Sequence, residues 1–379
     1  MSSIVTLILA IISLLVAAVA LVTALSARTA ATQAQGKRVP QSRVVRRDPH
    51  GLTPWVIYNG GKISDISQLR TLVDVQAAEA GWNEPHYVST TVEYPGTKQA
   101  LEAVKDGAGM VVAVGGDGTI RNVAAGLAHS GVPLGIIPYG TGNLLARNLG
   151  IPFEDAGEAV TVAFTGNTEL IDICWVRPGG QLEGEPAADF VLQDSADPQI
   201  ADEGEHCCLV MAGIGFDADV MEKTDTVLKQ KIGWFAYVLA GLSQAYKPKM
   251  EATLQIGKNG AKNDFPASTV LFANCGTLTG GINLFPHARP DDGWMDVSRI
   301  ASQLGLVGYL ELGIRLLVQG LGIRPRIPTF NVDFDTRRAR YASIETTVPR
   351  HVEVDGDSLG EASRLDVRLD HLALQVRTP

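Results

Sequence analysis

The sequence is poor in cysteine, in aromatic residues and in positive charge. Its four cysteines, Cys174, Cys207, Cys208 and Cys275, are spread over 379 residues. They show neither the paired spacing of a zinc site nor the density of a disulfide scaffold. Cys207 and Cys208 are adjacent and precede an apolar run, which predicts ordinary burial in a reducing compartment. Lys and Arg number 32 against 41 Asp and Glu, a formal charge of −9, which speaks against the basic face of a nucleic-acid binder. No glycine loop runs into Gly-Lys-Ser/Thr, so there is no Walker A site, and neither H-E-x-x-H nor a serine nucleophile elbow occurs. The seven histidines are scattered. Without partner spacing, His129, His287 and His351 read as structural or exposed.

Long apolar runs are scarce too, with one exception at residues 4–25, IVTLILAIISLLVAAVALVTAL, which carry no charge. A bilayer-spanning helix needs about 20 such residues. A cleaved leader would carry a basic start and a shorter apolar core. The run therefore predicts a single-pass anchor. Arg28, Lys37, Arg38, Arg43, Arg46 and Arg47 follow before the first acid, Asp48, and place that flank and the body behind it on the cytoplasmic side of the cell membrane. Residues 26–53 read as a basic linker. A second apolar stretch, 304–324, is interrupted by Glu311 and Arg315. It reads as a helix packed on the second domain, with a membrane-lying helix as the alternative.

What is present in abundance is glycine, 40 residues, and its placement carries the chemistry. Residues 110–114 form a buried-strand run that opens into Gly115-Gly116-Asp117-Gly118-Thr119. Residues 134–137 form another, opening into Gly140-Thr141-Gly142-Asn143. Each loop is followed by a helix-like segment. Glycine lets main-chain N–H groups approach phosphate oxygens, and two such loops at adjacent strand ends face one crevice. Asp117 repels a phosphate, so it works through Mg²⁺ or accepts a proton. Thr119 caps the next helix or donates to phosphate. Strands at 55–58, 87–92, 110–114 and 134–137 alternate with helices at 66–80, 97–106, 120–128 and 144–149. That order predicts a parallel sheet with helices on both faces. After about residue 156 the pattern turns to short strands (170–176, 208–211, 252–256, 269–274, 295–299, 351–354, 365–369, 372–376), which predicts an antiparallel sandwich. Helical stretches at 219–246 and 304–322 interrupt it. Residues 179–206 hold eight acids and no Lys or Arg and read as a solvated insertion.

GGDGT followed by GTGNLLARNLGIP (140–152) resembles the diacylglycerol kinase catalytic family, which includes bacterial diacylglycerol kinases and the sphingosine and ceramide kinases. MAGIGFDA (211–218), GWFAY (233–237), RPDDGWMD (289–296) and VDGD (354–357) extend the resemblance over residues 54–379. It implies an α+β chain of two domains: a Rossmann-like ATP-binding domain at 54–156 and an antiparallel β-sandwich lipid domain at 157–379, with the site between them. It implies ATP and Mg²⁺ as cofactors, a membrane lipid hydroxyl as acceptor, diacylglycerol foremost, and a homodimer as in many bacterial relatives. By the same resemblance Gly115–Thr119 and Gly140–Asn143 bind nucleotide. Asn59 and Lys62 occupy the first-strand turn, Asn59-Gly-Gly-Lys62 where many relatives have Asn-Pro-x-Ser-Gly. Asp292 falls on a Mg²⁺-linked Asp-Gly turn. Asp355 takes the general-base position, with Asp357 where relatives have Glu. In the sphingosine-kinase branch that base is the aspartate of the first glycine loop, so Asp117 competes with Asp355. Two other readings stay open: an NAD kinase-like enzyme with a soluble acceptor, and a nucleotide- and lipid-binding sensor without turnover.

Overall fold

The computed structural model describes residues 51–63, 65–179, 204–216, 250–278, 283–302 and 332–379. The expected anchor at 4–25, the helical stretches at 219–246 and 304–324 and most of the acidic insertion lie outside the described residues. Among the described residues no helix is long and apolar enough to cross a membrane.

The first unit is built as the apolar runs dictate. Strands β1 (Pro54–Tyr58), β2 (His86–Ser89), β3 (Met110–Gly115) and β4 (Leu134–Pro138) alternate with helices α1 (Ser67–Glu79), α2 (Thr97–Lys105), α3 (Asp117–Leu127) and α4 (Leu144–Leu149). They pair in parallel in the order β2-β1-β3-β4. β3 and β4 are buried along their whole length, as a sheet covered on both faces requires. On one face Ile120, Val123, Ala124 and Leu127 of α3 pack against Val111, Ala113, Leu134 and Ile136. On the other, Val73 and Ala77 of α1 meet Val56, Val112 and Val114.

Helix α5 (Ala156–Thr165) follows, started by Asp155, whose side chain accepts the N–H groups of Gly157 and Glu158. Its Ala159, Val160, Ala163 and Phe164 lie in the same core as Val56 and Val112. The first core thus runs past residue 156, where the strand-rich pattern begins.

The second unit holds β5 (Asn167–Pro178), β6 (His206–Cys208), β7 (Met211–Phe216), β8 (Met250–Ile256), β9 (Lys262–Ala267), β10 (Thr269–Ala273), β11 (Met295–Ser302), β12 (Val332–Ala339), β13 (Tyr341–Val354) and β14 (Asp357–Thr378). They pair antiparallel in the order β12-β11-β10-β7-β13-β14, with β8 beside β13 and β9 beside β8, and with β5 beside β14 and β6 beside β5. Phe272, Val297, Ile344, Val352, Val354, Leu365 and Val367 form their shared core.

Two expected strands become one. The runs at 365–369 and 372–376 are both β14, with a shift between Asp370 and Leu374 and Leu372 at φ +52°. Beyond that kink the strand returns to the first unit. Val376 pairs in parallel with Leu134, and Leu374 and Val376 enter the first core. One expected strand, 208–211, divides into the end of β6 and the start of β7. The acidic insertion is also anchored at its end: Glu205 is buried and forms a two-pronged pair with Arg368 at 3.2 and 3.0 Å.

Candidate active site

The two glycine loops touch. A Cβ on Gly140 would lie 2.6 Å from Gly116 Cα, and one on Gly116 would lie 3.4 Å from Lys62 Nζ. Lys62 therefore brings its ammonium to the first loop. Asn59 shapes that approach: its Oδ1 accepts the N–H groups of Gly61 and Lys62, both at 3.1 Å, and its Nδ2 donates to Thr119 Oγ1 at 3.1 Å. Thr119 sits inside the first turn of α3, because the helix begins at Asp117, and no side chain caps that end. The capping role expected for Thr119 is thus not taken, and its hydroxyl joins the loops to the β1 turn.

Asn143 holds the second loop closed. It sits at φ +49°, where Asn is tolerated. Its side chain accepts from Gly140 N at 3.0 Å and donates to Gly140 O at 2.9 Å. Asp117 bridges the loops, its Oδ1 accepting the Leu144 N–H at 2.6 Å. Its Oδ2 passes 2.6 Å from where a Cβ on Gly142 would stand, so a larger residue there would push the carboxylate aside. Burial raises the Asp117 carboxyl, the N–H of Leu144 counters this, and the negative charge of Asp355 raises it further. Thr141 is exposed in the same loop.

Asp355 approaches from the second unit. It follows β13 at φ +50° and is buried. Its Oδ2 accepts Leu209 N–H at 3.0 Å, and its Oδ1 accepts those of Val210 and Met211, both at 2.9 Å. This explains the broken strand at 208–211, since those N–H groups serve the carboxylate. Cys208 donates its thiol to the same Oδ1 at 3.6 Å. All four cysteines are free and buried, Cys207 and Cys208 as expected.

One residue that the sequence reading passed over ties the two sides together. Arg121, one helical turn after Asp117, donates from Nη2 to Asp357 Oδ2 at 2.8 Å and from Nη1 to the carbonyl of Val354. Its spacing from Asp117 was visible, but its partners, more than 230 positions away, were not. Asp357 reaches so close over α3 that a Cβ on Gly118 would stand 2.9 Å from its Oδ2. Asn59, Gly118, Thr119 and Asp357, with Thr90 and Asn122, line a cavity of about 520 Å³.

Asp292 lies outside this constellation. Its Oδ2 is paired with Arg338, and its Oδ1 accepts the Trp294 N–H at 3.1 Å. The guanidinium of Arg338 thus meets the carboxylate to which the resemblance gives a metal role. Among the described residues no group of three or more His, Cys, Asp or Glu side chains is arranged to hold a metal ion. His129 is a structural residue, paired through Nε2 with Asp370 Oδ2 at 2.7 Å.

Residues 54–176 match the family described as diacylglycerol kinase catalytic domain, and residues 210–376 match the YegS C-terminal NAD kinase beta sandwich-like domain. A probable lipid kinase YegS-like of Stenotrophomonas maltophilia is 30% identical over 68% of this chain and 82% of its own length. Its namesake from Xanthomonas campestris pv. campestris is 28% identical over 79% of this chain and 96% of its own. An uncharacterized protein of Synechocystis sp. is 30% identical over 72% of this chain, which spans 58% of that protein's length. A crystal structure of a diacylglycerol kinase from Bacillus anthracis has the same fold, with a TM-score of 0.63 at 21% identity over 86% of this chain and 97% of that one.

Proposed function

The chain belongs to the diacylglycerol kinase-like lipid kinase family, phosphotransferases with an alcohol acceptor, and on that premise we propose that it moves the γ-phosphoryl group of ATP to the hydroxyl of a membrane lipid, diacylglycerol foremost, giving phosphatidic acid. One observation carries this reading. Two touching glycine loops and Asp117 meet an aspartate turn of the other unit, joined through Arg121 and Asp357. Phosphate oxygens are met by loop N–H groups and by Lys62.

The acceptor hydroxyl attacks the γ-phosphorus, its proton passes to Asp355, and ADP leaves. Three N–H donors fix the Asp355 carboxylate and leave one lone-pair direction of Oδ2 for a hydroxyl. Asp117, on the phosphate side, is the carboxylate that would face a divalent cation. Held there, such a cation would offset charge on the transferring oxygens. The soluble-acceptor reading lacks support from the relatives' names, which are those of lipid kinases.

We further infer that residues 4–25 anchor the enzyme in the cell membrane with both domains in the cytoplasm, which confines it to the surface holding its substrate. The apolar run and the basic flank support this. Protease added outside intact cells leaves the C-terminal body whole if it holds; digestion of that body rejects it.

The kinase is tested with γ-labelled ATP, Mg²⁺ and a total lipid extract, followed by phase separation. Label in a lipid band is the expected result, and mass spectrometry of the band names the acceptor. ATP bound but no lipid labelled would overturn the reading in favour of a sensor.

A further inference from the structure

Asparagine is a poor filler for the buried side of a short helix, since its amide must find partners there. Asn148 stands on α4, is 9% exposed, and has found them. Its Nδ2 donates to Leu144 O at 2.9 Å within the helix and to Thr277 O at 2.8 Å in the second unit. Its Oδ1 accepts the Thr277 N–H at 3.0 Å. One side chain thus holds both main-chain groups of a residue 129 positions away. A carboxamide suits this task, because it offers a donor and an acceptor side by side.

Each end of this contact is tied to a group of the site. On the nucleotide side, α4 starts from the second glycine loop. Arg147, the residue before Asn148, donates from Nε back to Gly142 O at 2.7 Å, and Asp117 holds the Leu144 N–H. Loop and helix therefore move as one piece. On the other side, Thr277 follows Gly276, whose carbonyl accepts the N–H groups of Leu284 and Phe285 at 2.9 and 3.3 Å. Just before them, Asn274 and Cys275 donate their N–H groups to the Val210 carbonyl at 2.9 and 3.0 Å, and Asn274 Nδ2 donates to the Leu209 carbonyl at 3.0 Å. Leu209 and Val210 are the residues whose own N–H groups hold Asp355. The carbonyls of that turn are gripped by Asn274 and Cys275, and its N–H groups grip the carboxylate. Asn274 is fully buried and Cys275 nearly so, which leaves this run of main chain little room to give. Arg121 reaches the Asp355 turn from α3, and Asn148 reaches it from α4 through residues 274–277.

We propose that Asn148 is a positioning residue for phosphoryl transfer: by holding both main-chain groups of Thr277 it fixes the Asp355 carboxylate in place relative to the second glycine loop. The proposal rests on the lipid-kinase reading and names what keeps its two halves in register. Attack on the γ-phosphorus needs the acceptor oxygen within a narrow range of distance and angle, and a misplacement of about 1 Å costs about 10²-fold in rate. Asn148 exerts its effect through Thr277 and the turn at Leu209 and Val210, so its loss falls on turnover rather than on nucleotide affinity.

The test measures kcat and KM for Mg-ATP of the full-length protein with a short-chain diacylglycerol, and repeats both in an Asp355→Asn background. Asn148→Asp keeps the size and the acceptor but sets a carboxylate oxygen against Thr277 O. Its kcat falls about 10- to 100-fold, while KM for Mg-ATP stays within about twofold of the wild type. Asn148→Ala removes the contact without that repulsion, lowers kcat in the same direction, and decides the matter where the Asp variant does not fold. In the Asp355→Asn background either substitution costs little more, because the carboxylate it positions is already gone. A folded variant with wild-type kcat, a loss that falls on KM for Mg-ATP instead, or an equal fold-loss with and without the Asp355 carboxylate overturns the proposal while the wild type still labels lipid. Absence of any lipid product from folded wild-type protein overturns the kinase reading and the proposal with it.

Discussion

Asp355 has little freedom to turn, and Asp117 has little room. The first is held by three N–H groups from one turn. The second is wedged against Gly142 and fixed to Leu144. Their substitutions separate accordingly. Asp355→Asn sets an amide N–H₂ against a backbone N–H, so stability drops by about 1–3 kcal/mol and turnover by about 10²–10⁴-fold, with ATP affinity kept. Asp117→Asn keeps its bond to Leu144 N but loses the charge that faces the nucleotide's cation, so KM for Mg-ATP rises about tenfold or more and the melting temperature holds. Equal KM for Mg-ATP in both variants would sink the division of roles. Glu353 adds a stability signature. Its carboxyl is raised from 4.5 to about 7 in the folded state, so folding favours the protonated form. Its contribution is whole at acid pH and lost as pH rises through about 7. Glu353→Gln does not titrate. The variant's melting temperature should gain on the wild type between about pH 5 and about pH 8, and a pH-independent difference would reject this. The glycine loops and Asp117 could be read from the order of apolar runs and glycines. The unpartnered Oε2 of Glu353 could not, because it depends on what neighbouring strands fail to supply, nor could the pairing of Asp292 with Arg338, 46 positions away.

Elements were legible where apolar residues repeat and obscure where they do not. β3 and β4 are unbroken apolar runs and appear as expected. β9, with the sequence KNDFPA, is mostly exposed and gives the second core only Phe265 and Ala267, too short a face to recognise. β6 and β7 read as one strand because the Asp355 carboxylate that interrupts them lies more than 140 positions away. Gly126 shows what a helix can conceal. A glycine near the end of α3 looks like a weakness costing about 1 kcal/mol relative to alanine. Yet a Cβ there would stand 2.6 Å from Thr97 O and 2.7 Å from Ala100 Cβ of α2. Gly126→Ala should therefore destabilise by about 1–3 kcal/mol through forced separation of the two helices, against its helix propensity. Thermal denaturation decides it. A raised melting temperature would mean that α2 yields without cost.

At the scale of the whole molecule, the chain returns to its beginning. β14 leaves the sandwich at the kink around Leu372 and ends beside β4, with Ala373 3% exposed and Leu374 and Val376 fully buried. His129 N–H is accepted by the Ala373 carbonyl at 2.8 Å, and Arg377 donates to the carbonyls of Ala163 and Phe164 at the end of α5. The nucleotide-binding unit is thus completed by the last residues of the chain. Residues 54–176, which carry both glycine loops, lack Ala373, Leu374 and Val376 of their own core. Removing a buried Leu or Val side chain costs roughly 1–5 kcal/mol, and a whole domain holds only about 5–15 kcal/mol. A chain that stops after His371 keeps every residue assigned here to nucleotide and acceptor, yet it should lose nucleotide binding, and the first unit should be digested as readily as the second in limited proteolysis. If the truncated chain binds ATP with unchanged affinity, the first unit is self-sufficient and the returning strand only fastens the sandwich to it. If binding and protease resistance vanish together, the two units fold as one, and the Arg121–Asp357 contact forms in every folded molecule rather than on nucleotide arrival.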